Sequence, residues 1–138
     1  MPNDYSLEVR RSIIAHLQGF GALTSLVAAA SIHGEEVPAN PDWPFMRYGL
    51  SDDDAFEATG WDGSEHAVTL HAFSNGPYTD AVKRIAKQVV KAMETWSAPA
   101  GTGIVAAEWR GTTTIRDSGP TEQSKYHSII RFEIAVAG

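Results

Sequence analysis

The segment that sets the architecture of this chain is His66-Ala67-Val68-Thr69-Leu70-His71-Ala72-Phe73-Ser74, which a Gly76-Pro77 turn follows. The apolar residues Val68, Leu70 and Ala72 fall on one face of an extended chain, and the residues between them fall on the other. This period-two alternation predicts a strand in a sheet that is packed on one side. A helix is expected to cover that side.

The residues after the turn predict the covering helix. Apolar side chains recur there at three- and four-residue spacing, at Val82, Ile85, Ala86, Val89, Met93 and Trp96. The positions between them are basic or polar, at Lys83, Arg84, Lys87, Gln88 and Lys91. The pattern is typical of a long amphipathic helix that packs its apolar stripe on a sheet and turns its charged side to water.

The N-terminal region predicts a pair of helices. The first has an apolar face at Leu7, Val9, Ile13, Ile14 and Leu17, begins at Asp4 or Ser6 and ends at Gly19 or Gly21. A second, short helix is expected from Leu23 to about Ala29, and Ile32 and Gly34 end the helical region. The residues from Gly34 to Pro44 contain three prolines, which predicts a long surface loop.

The rest of the chain predicts strands. The first runs from Phe45 to Leu50, and a second lies around Phe56 to Trp61 after a turn at Asp52-Asp53-Asp54. A hairpin turn is expected at Trp61-Asp62-Gly63-Ser64, with Gly63 at positive φ and the flanking strands antiparallel.

Two further strands close the predicted sheet. They run from Ile104 to Arg116 and from Lys125 to Val136, after a breaker at Ser97 to Gly103, and a polar segment at Asp117-Ser118-Gly119-Pro120 joins them. The predicted fold is α+β, a largely antiparallel sheet of four to five strands packed against the long helix, with the N-terminal helical pair. Residues 1–138 are expected to form one domain.

The amino-acid composition and net charge argue against several classes of function. The chain has no cysteine, which excludes disulfides and thiolate metal sites and agrees with assembly in a reducing cytoplasm. Its net charge of -6 argues against wrapping nucleic acid, which needs a concentrated basic face. The start of the chain lacks a basic signal region, and Leu26 to Ala30 is too short to span a bilayer, so no membrane partner is expected.

No catalytic, cofactor or metal site is predicted. The five histidines form no paired-ligand pattern, since His66 and His71 point to opposite faces of one strand. Three consecutive aspartates at 52–54 cannot all face one ion in an extended chain. Ser74 lies outside a nucleophile elbow, and Gly101-Thr102-Gly103 lacks the lysine of a phosphate-binding loop.

The order of these segments carries a resemblance. An N-terminal helix is followed by a loop ending in Trp43-Pro44-Phe45-Met46-Arg47-Tyr48-Gly49 and by a strand ending in His71-Ala72-Phe73-Ser74. A helix then begins at Asp80-Ala81-Val82-Lys83-Arg84-Ile85-Ala86, and two closing strands follow, one to Arg116-Asp117 and one from near Tyr126-His127. This order resembles the tail-completion, or tail-terminator, family of long-tailed phages and gene transfer agents. The resemblance covers nearly the whole chain. The loop from Gly34 to Pro44 and the residues before Leu7 depart from it.

The resemblance implies a structural protein of the virion, in the tail or neck. It implies a homo-oligomer, a hexameric ring that caps the tail tube, stops its growth and meets the head connector. DNA would pass through the ring as cargo, and acidic residues on the channel wall would repel its phosphates and prevent binding. The family has no catalytic set to transfer, so the chain is not expected to be an enzyme.

Aromatic and charged residues are the candidates for subunit or partner contacts, because Trp, Tyr and Arg are enriched at interfaces. The candidate interface residues are Trp43, Phe45, Arg47, Trp61, Asp62, Asp117 and Tyr126. For Trp43 and Phe45 the alternative is that they close one edge of the core. Trp61 and Trp109, near strand ends, are equally open to an interface or a core role, whereas Trp96 is expected in the core.

Three rival functions stay open at this point. The protein could be another head-tail joining protein of the neck. It could be a small metal-dependent hydrolase that uses His71 with Asp52 or Asp53. It could also be a monomeric binding module whose long loop holds a peptide.

Overall fold

The computed structural model describes residues 4–58, 61–76, 78–118 and 125–138. The described part is α+β. Its helices are α1 (Ser6–Gln18), α2 (Gly21–Thr24), a 3-10 turn (Ala29–Ser31) and α3 (Asp80–Glu94). Its strands are β1 (Ile32–His33), β2 (Phe45–Tyr48), β3 (Asp52–Ala58), β4 (Trp61–Asn75), β5 (Gly103–Ser118) and β6 (Lys125–Ala137).

The six described strands form one mixed sheet. Its order is β1-β2-β4-β6-β5, and β3 pairs with the first half of β4, beside the part that β2 covers. Only β1 and β2 pair in parallel, and the remaining pairs are antiparallel. The predicted α+β class and mostly antiparallel sheet are confirmed, with more strands than the four to five expected.

The core lies between one face of the sheet and the helices. Val68, Leu70 and Ala72 of β4 are buried there beside Ile130 and Phe132 of β6, as the alternation predicts. The apolar stripe of α3 covers them, and its buried residues are Val82, Ile85, Ala86, Val89, Ala92 and Met93. The helix has 15 residues, so the expectation of a long helix is not confirmed.

Trp96 follows α3 and is buried, as expected, at 4% exposure. Its indole Nε1 donates a hydrogen bond to Ser12 Oγ at 3.0 Å, which joins the end of α3 to α1. The predicted apolar face of α1 is buried at Val9, Ile13 and Leu17. At the start of α1, the Ser6 backbone N–H donates to Asp4 Oδ1 at 2.9 Å.

The second helix differs from the prediction. It has only four residues, Gly21–Thr24, and the 3-10 turn at Ala29–Ser31 is separate from it. Hydroxyl groups explain the early end, because Thr24 Oγ1 and Ser25 Oγ donate to backbone carbonyls three residues back and compete with helical bonding. The helical region ends before Ile32, as predicted, and Ile32 begins β1.

Two turn predictions are wrong. The aspartates at 52–54 lie in β3, because Asp53 pairs with His66 across the ladder and its carboxylate bonds to that imidazole. The residues Asp62 to Ser64 lie inside β4, and the connection between β3 and β4 falls at residues 59–60, outside the described part. The antiparallel pairing of the flanking strands is confirmed.

Gly63 is required for close approach and has no positive φ. It lies between Phe56 of β3 and Ala137 of β6. A Cβ atom at this position would collide with the Val136 carbonyl oxygen. Only glycine therefore lets β6 run along β4 at this point.

The last two strands match the prediction within two residues. β5 has three register shifts against β6, each with one extra residue in β5, at Val105, Arg110 and Asp117. Gly111, beside the second shift, has φ of 136°. Such bulges bend and twist a strand. Residues 119–120 of the predicted connecting segment lie outside the described part.

Candidate interaction surface

The sheet face opposite the core, here called the open face, carries the odd-numbered residues of β4 from Ala67 to Phe73. No residue of this group is fully buried. Across the sheet, Phe45 pairs with Phe73, and Phe73 pairs with His127. Strand register therefore places three rings of three different strands in one row.

The rings on the open face stack. We define the ring-stacked cluster as Trp43, Phe45, Phe73, His71 and His127. Phe45 and Phe73 stack at 4.8 Å between centroids, and Phe73 and His127 stack at 4.2 Å. Trp43, joined to Pro44 by a cis peptide bond, meets Phe45 edge-on at 4.8 Å. Phe45 itself is buried within the stack at 7% exposure, although it lies outside the core cluster, and the partly exposed rings around it are Trp43, His71, Phe73 and His127.

Two cations border the ring-stacked cluster. The Arg47 guanidinium carbon lies 6.0 Å from the Phe73 ring centroid, and Lys125 Nζ lies 5.4 Å from the Trp43 ring. Both distances are in the range of cation–π attraction. The surface combines aromatic rings with arginine, the composition found at the centres of protein interfaces.

The two histidines of the cluster share a hydrogen bond. His71 Nδ1 and His127 Nε2 lie 2.6 Å apart, so one ring donates and the other accepts. Burial, with Arg47, His127 and Arg131 nearby, lowers the pKa of His71 to about 4. Burial also lowers the pKa of His127, although Asp117, 3.7 Å from its Nδ1, opposes that change. Both rings are therefore neutral at neutral pH.

The predicted interface residues divide into three groups. Trp43, Phe45 and Arg47 come together in or beside the ring-stacked cluster, and Asp117 joins them through His127. Asp62 lies near the other end of β4, and only the backbone of Trp61 is described. Tyr126 is in the core at 8% exposure, because it points to the opposite face from His127, and we remove it from the candidate surface.

Sequence reasoning missed Phe73 and His127 as surface residues. Alternation within β4 puts Phe73 on the same face as His71, and that signal was available. His127 could be found only from the register of β6 against β4, which pairs it with Phe73.

A second polar arrangement lies near the start of β4. His66 Nε2 is 2.8 Å from Ser64 Oγ, and His66 Nδ1 is 2.6 Å from Asp53 Oδ1. The order of atoms resembles a serine hydrolase relay. Ser64 and His66 are buried at 3% and 1% exposure, and Ser64 Oγ accepts the Tyr5 backbone N–H at 3.0 Å. The hydrogen bonds among Asp53, His66 and Ser64 thus hold Ser64 in place, and Ser64 attaches the N-terminal segment to the sheet.

The residue pairs of the hydrolase alternative are not formed. Asp53 bonds to His66, and His71 lies five residues along the same strand on the opposite face. Within the described residues, His, Asp and Glu side chains form no group of three or more that could hold a metal ion. No helix in the described part of the chain is long and apolar enough to cross a membrane.

A small α+β domain with a partly exposed surface of stacked rings and arginine has the features of a protein that works by contact with other proteins. Comparison with known families then identifies it. Residues 11–137 match the family tail completion protein gp17, and the chain belongs to that family. The resemblance noted in the sequence is confirmed. The protein is a structural component of the virion, in the tail or neck.

The solved structures show the same fold. A chain of the structure titled "Virion of native gene transfer agent (GTA) particle" aligns with a TM-score of 0.77 and 16% identity, over 94% of this chain and 95% of that chain. No curated protein sequence matches the chain.

Proposed function

We propose that this protein is the tail terminator of its particle. Six copies form a ring on the finished end of the tail tube, prevent further addition of tube protein and present a surface to the head connector. Family membership over residues 11–137 supports a role in tail completion. A ring of one small chain matches a tube with six-fold symmetry, because a head-to-tail contact that closes fixes the number of copies.

The ring-stacked cluster is the proposed contact with a neighbouring virion protein. Its rings are already packed on one another, so a partner orders few additional side chains when it binds. Neutral His71 and His127 can be covered by a partner without burying a charge. The observation that carries this proposal is the joining of Trp43, Phe45 and Arg47 to the stacked rings of β4 and β6.

The proposed role makes and breaks no bond. DNA passes through the ring and is not bound, because the chain is acidic and contact with phosphate needs concentrated positive charge. The tail tube protein and the head connector protein are the proposed partners.

The experiment is complementation of a particle that lacks this gene product. The double variant Trp43→Ala, Arg47→Glu removes a ring and reverses a charge at the cluster, and it should give few joined particles and tubes of uncontrolled length. Tyr78→Ser, which changes an aromatic residue that is 70% exposed elsewhere, is the matched control and should complement fully. Normal particle yield and tube length with a folded double variant would contradict the assignment of the cluster.

A further inference from the structure

The helices cover β6 more fully than they cover the outer strand β5. On the helix side of the sheet, Trp109 and Thr112 of β5 lie opposite Phe132 and Ile130 of β6. Phe132 and Ile130 are buried, whereas Trp109 is 53% exposed and Thr112 is half-buried. A strip of β5 beside α3 is therefore open to a partner.

This open strip is one wall of a groove of about 540 Å³ between α3 and β5, which we call the lysine groove. Val90 of α3 and Trp109 of β5 give the groove apolar walls, and Lys83, Lys87 and Lys91 lie along its helix side. The groove thus combines apolar surface with a row of positive charge.

Trp109 is held in place although it is not covered. Its indole Nε1 donates a hydrogen bond to Thr112 Oγ1 at 3.1 Å, so the polar atom of the ring is satisfied within β5. A partner can cover this ring without breaking that hydrogen bond and without ordering a free side chain. Tryptophan side chains of this kind are anchors of protein contacts.

The three lysines of the groove form a row without acidic partners. They are spaced four residues apart on one side of α3, and all three are exposed. Among the residues that the structure describes, no acidic side chain forms an ion pair with any of them. Like charges at this spacing destabilise a helix. The row is complementary to a partner that carries carboxylates.

The dimensions of the groove match a second helix. Neighbouring lysines are roughly 6 Å apart along α3, which is the spacing of carboxylates four residues apart on a facing helix. From Lys83 to Glu94 the groove follows roughly 17 Å of α3, or about three helical turns. Glu94 lines the end of the groove near the C-terminus of α3, where it is complementary to a basic residue. Three positive charges and one negative charge therefore define a direction for the bound helix.

We propose that the lysine groove binds an acidic amphipathic helix of another virion protein. Carboxylates of that helix face the lysine row, its apolar side chains lie against Trp109 and Val90, and a basic residue meets Glu94. The inference rests on the proposed function, which makes the partner a virion protein. The lysine groove and the ring-stacked cluster lie on opposite faces of the sheet, so the two surfaces can hold different partners at once.

Photochemical cross-linking in assembled particles tests the identity of the occupant. The chain has no cysteine, so Lys87→Cys can be labelled at one site with a photoreactive maleimide. The labelled protein is added to an extract that lacks this gene product, and the particles that form are irradiated. Mass spectrometry should identify an acidic segment of another virion protein attached to the label. Arg84→Cys, on the same helix but outside the groove, is the control and should give at least tenfold less of this product.

Three results of the cross-linking would overturn the proposal. Attachment to DNA would show that the lysines and Trp109 bind phosphates and bases. Attachment only to a second copy of this chain would show that the groove is a subunit contact. Particles that complete normally without any groove product would show that the groove stays open. The proposed function would stand in all three cases, whereas failure of the original chain to cap tail tubes would contradict the proposed function itself.

Charge reversal measures the contribution of the lysine row. The variant Lys87→Glu, Lys91→Glu should form rings as well as the original chain does and should lower the yield of complete particles at least tenfold. Trp109→Ser should also lower the yield, and Arg84→Glu should leave it unchanged. A normal particle yield with the folded double variant would contradict the proposal. Loss of rings in that variant would instead assign the groove to contact between copies.

Discussion

At the residue scale, the packing of the open face depends on the protonation state of one histidine pair. His71 and His127 share a hydrogen bond that requires one ring to accept, so the pair holds together only while at least one ring is neutral. The folded state keeps the pKa of His71 near 4, below the ordinary value of 6.5. A proton on His71 therefore favours the unfolded chain.

Stability should fall with acid in a defined window. The contribution of neutral His71 is complete above pH 6.5 and is lost as the pH falls from 6.5 toward 4, because the unfolded chain binds the proton first. His71→Phe keeps a ring in the stack and removes the titration. The drop in melting temperature between pH 7 and pH 4.5 should be smaller in this variant by about 3 °C or more.

Thr69→Val, on the same face of β4, is the control for this measurement and should keep the pH response of the original chain. An unchanged pH response in His71→Phe would show that His71 does not contribute to acid sensitivity.

Substitution of Gly63 tests the close approach of β4 and β6. Gly63→Ala places a methyl group against the Val136 carbonyl, and the free energy of unfolding should fall by about 3 kcal/mol or more. Gly103 pairs with the same residue, Ala137, from the other side, but its Cβ would lie 4.0 Å from the nearest atom. Gly103→Ala should change the free energy by less than about 1 kcal/mol. Equal values for both variants in urea unfolding would refute the packing argument.

Sequence reasoning at this scale succeeds where a pattern is local. The faces of β4 follow from alternation alone, and Trp43, Phe45 and Arg47 were selected from one short segment. The ring-stacked cluster needs strand register as well, since His127 is 54 positions after Phe73 and meets it only through β6 pairing. Gly63 was misread as a turn because a glycine for close approach and a glycine for positive φ look the same in sequence.

At the element scale, α1 and α3 are each held against the core because one face of the helix is buried. α1 buries Val9, Ile13 and Leu17 against the core, and α3 buries its stripe on β4 and β6. These periodic patterns were predictable because helix and strand periods differ. The position of β3 was not, because three aspartates are typical of a turn and only the pairing of Asp53 with His66 shows why they belong to a strand.

The anchoring of α1 can be measured with a matched pair. Ile13 is fully buried, so Ile13→Ala should lower the free energy of unfolding by about 2–5 kcal/mol. Leu7, on the same helix, is 41% exposed, and Leu7→Ala should cost less than about 1 kcal/mol. Chemical denaturation of both variants checks this. Similar losses from the two substitutions would mean that α1 does not pack as described.

At the scale of the whole molecule, the ring-stacked cluster is the surface that we propose contacts another virion protein. The family assignment gives the role in tail completion, whereas the number of copies and the partners are proposals. The order of the sequence segments could indicate the role, but the ring-stacked cluster can be located only when the strand order and register are known.

The most direct test of the central claim is the mass of the assembled species. Native mass spectrometry of the purified protein, alone and after incubation with tail tubes, should show a species of six times the 14.9 kDa chain mass. A ring released intact from the tube end would support the account. A protein that stays monomeric under both conditions, or that forms only two-fold dimers, would contradict it.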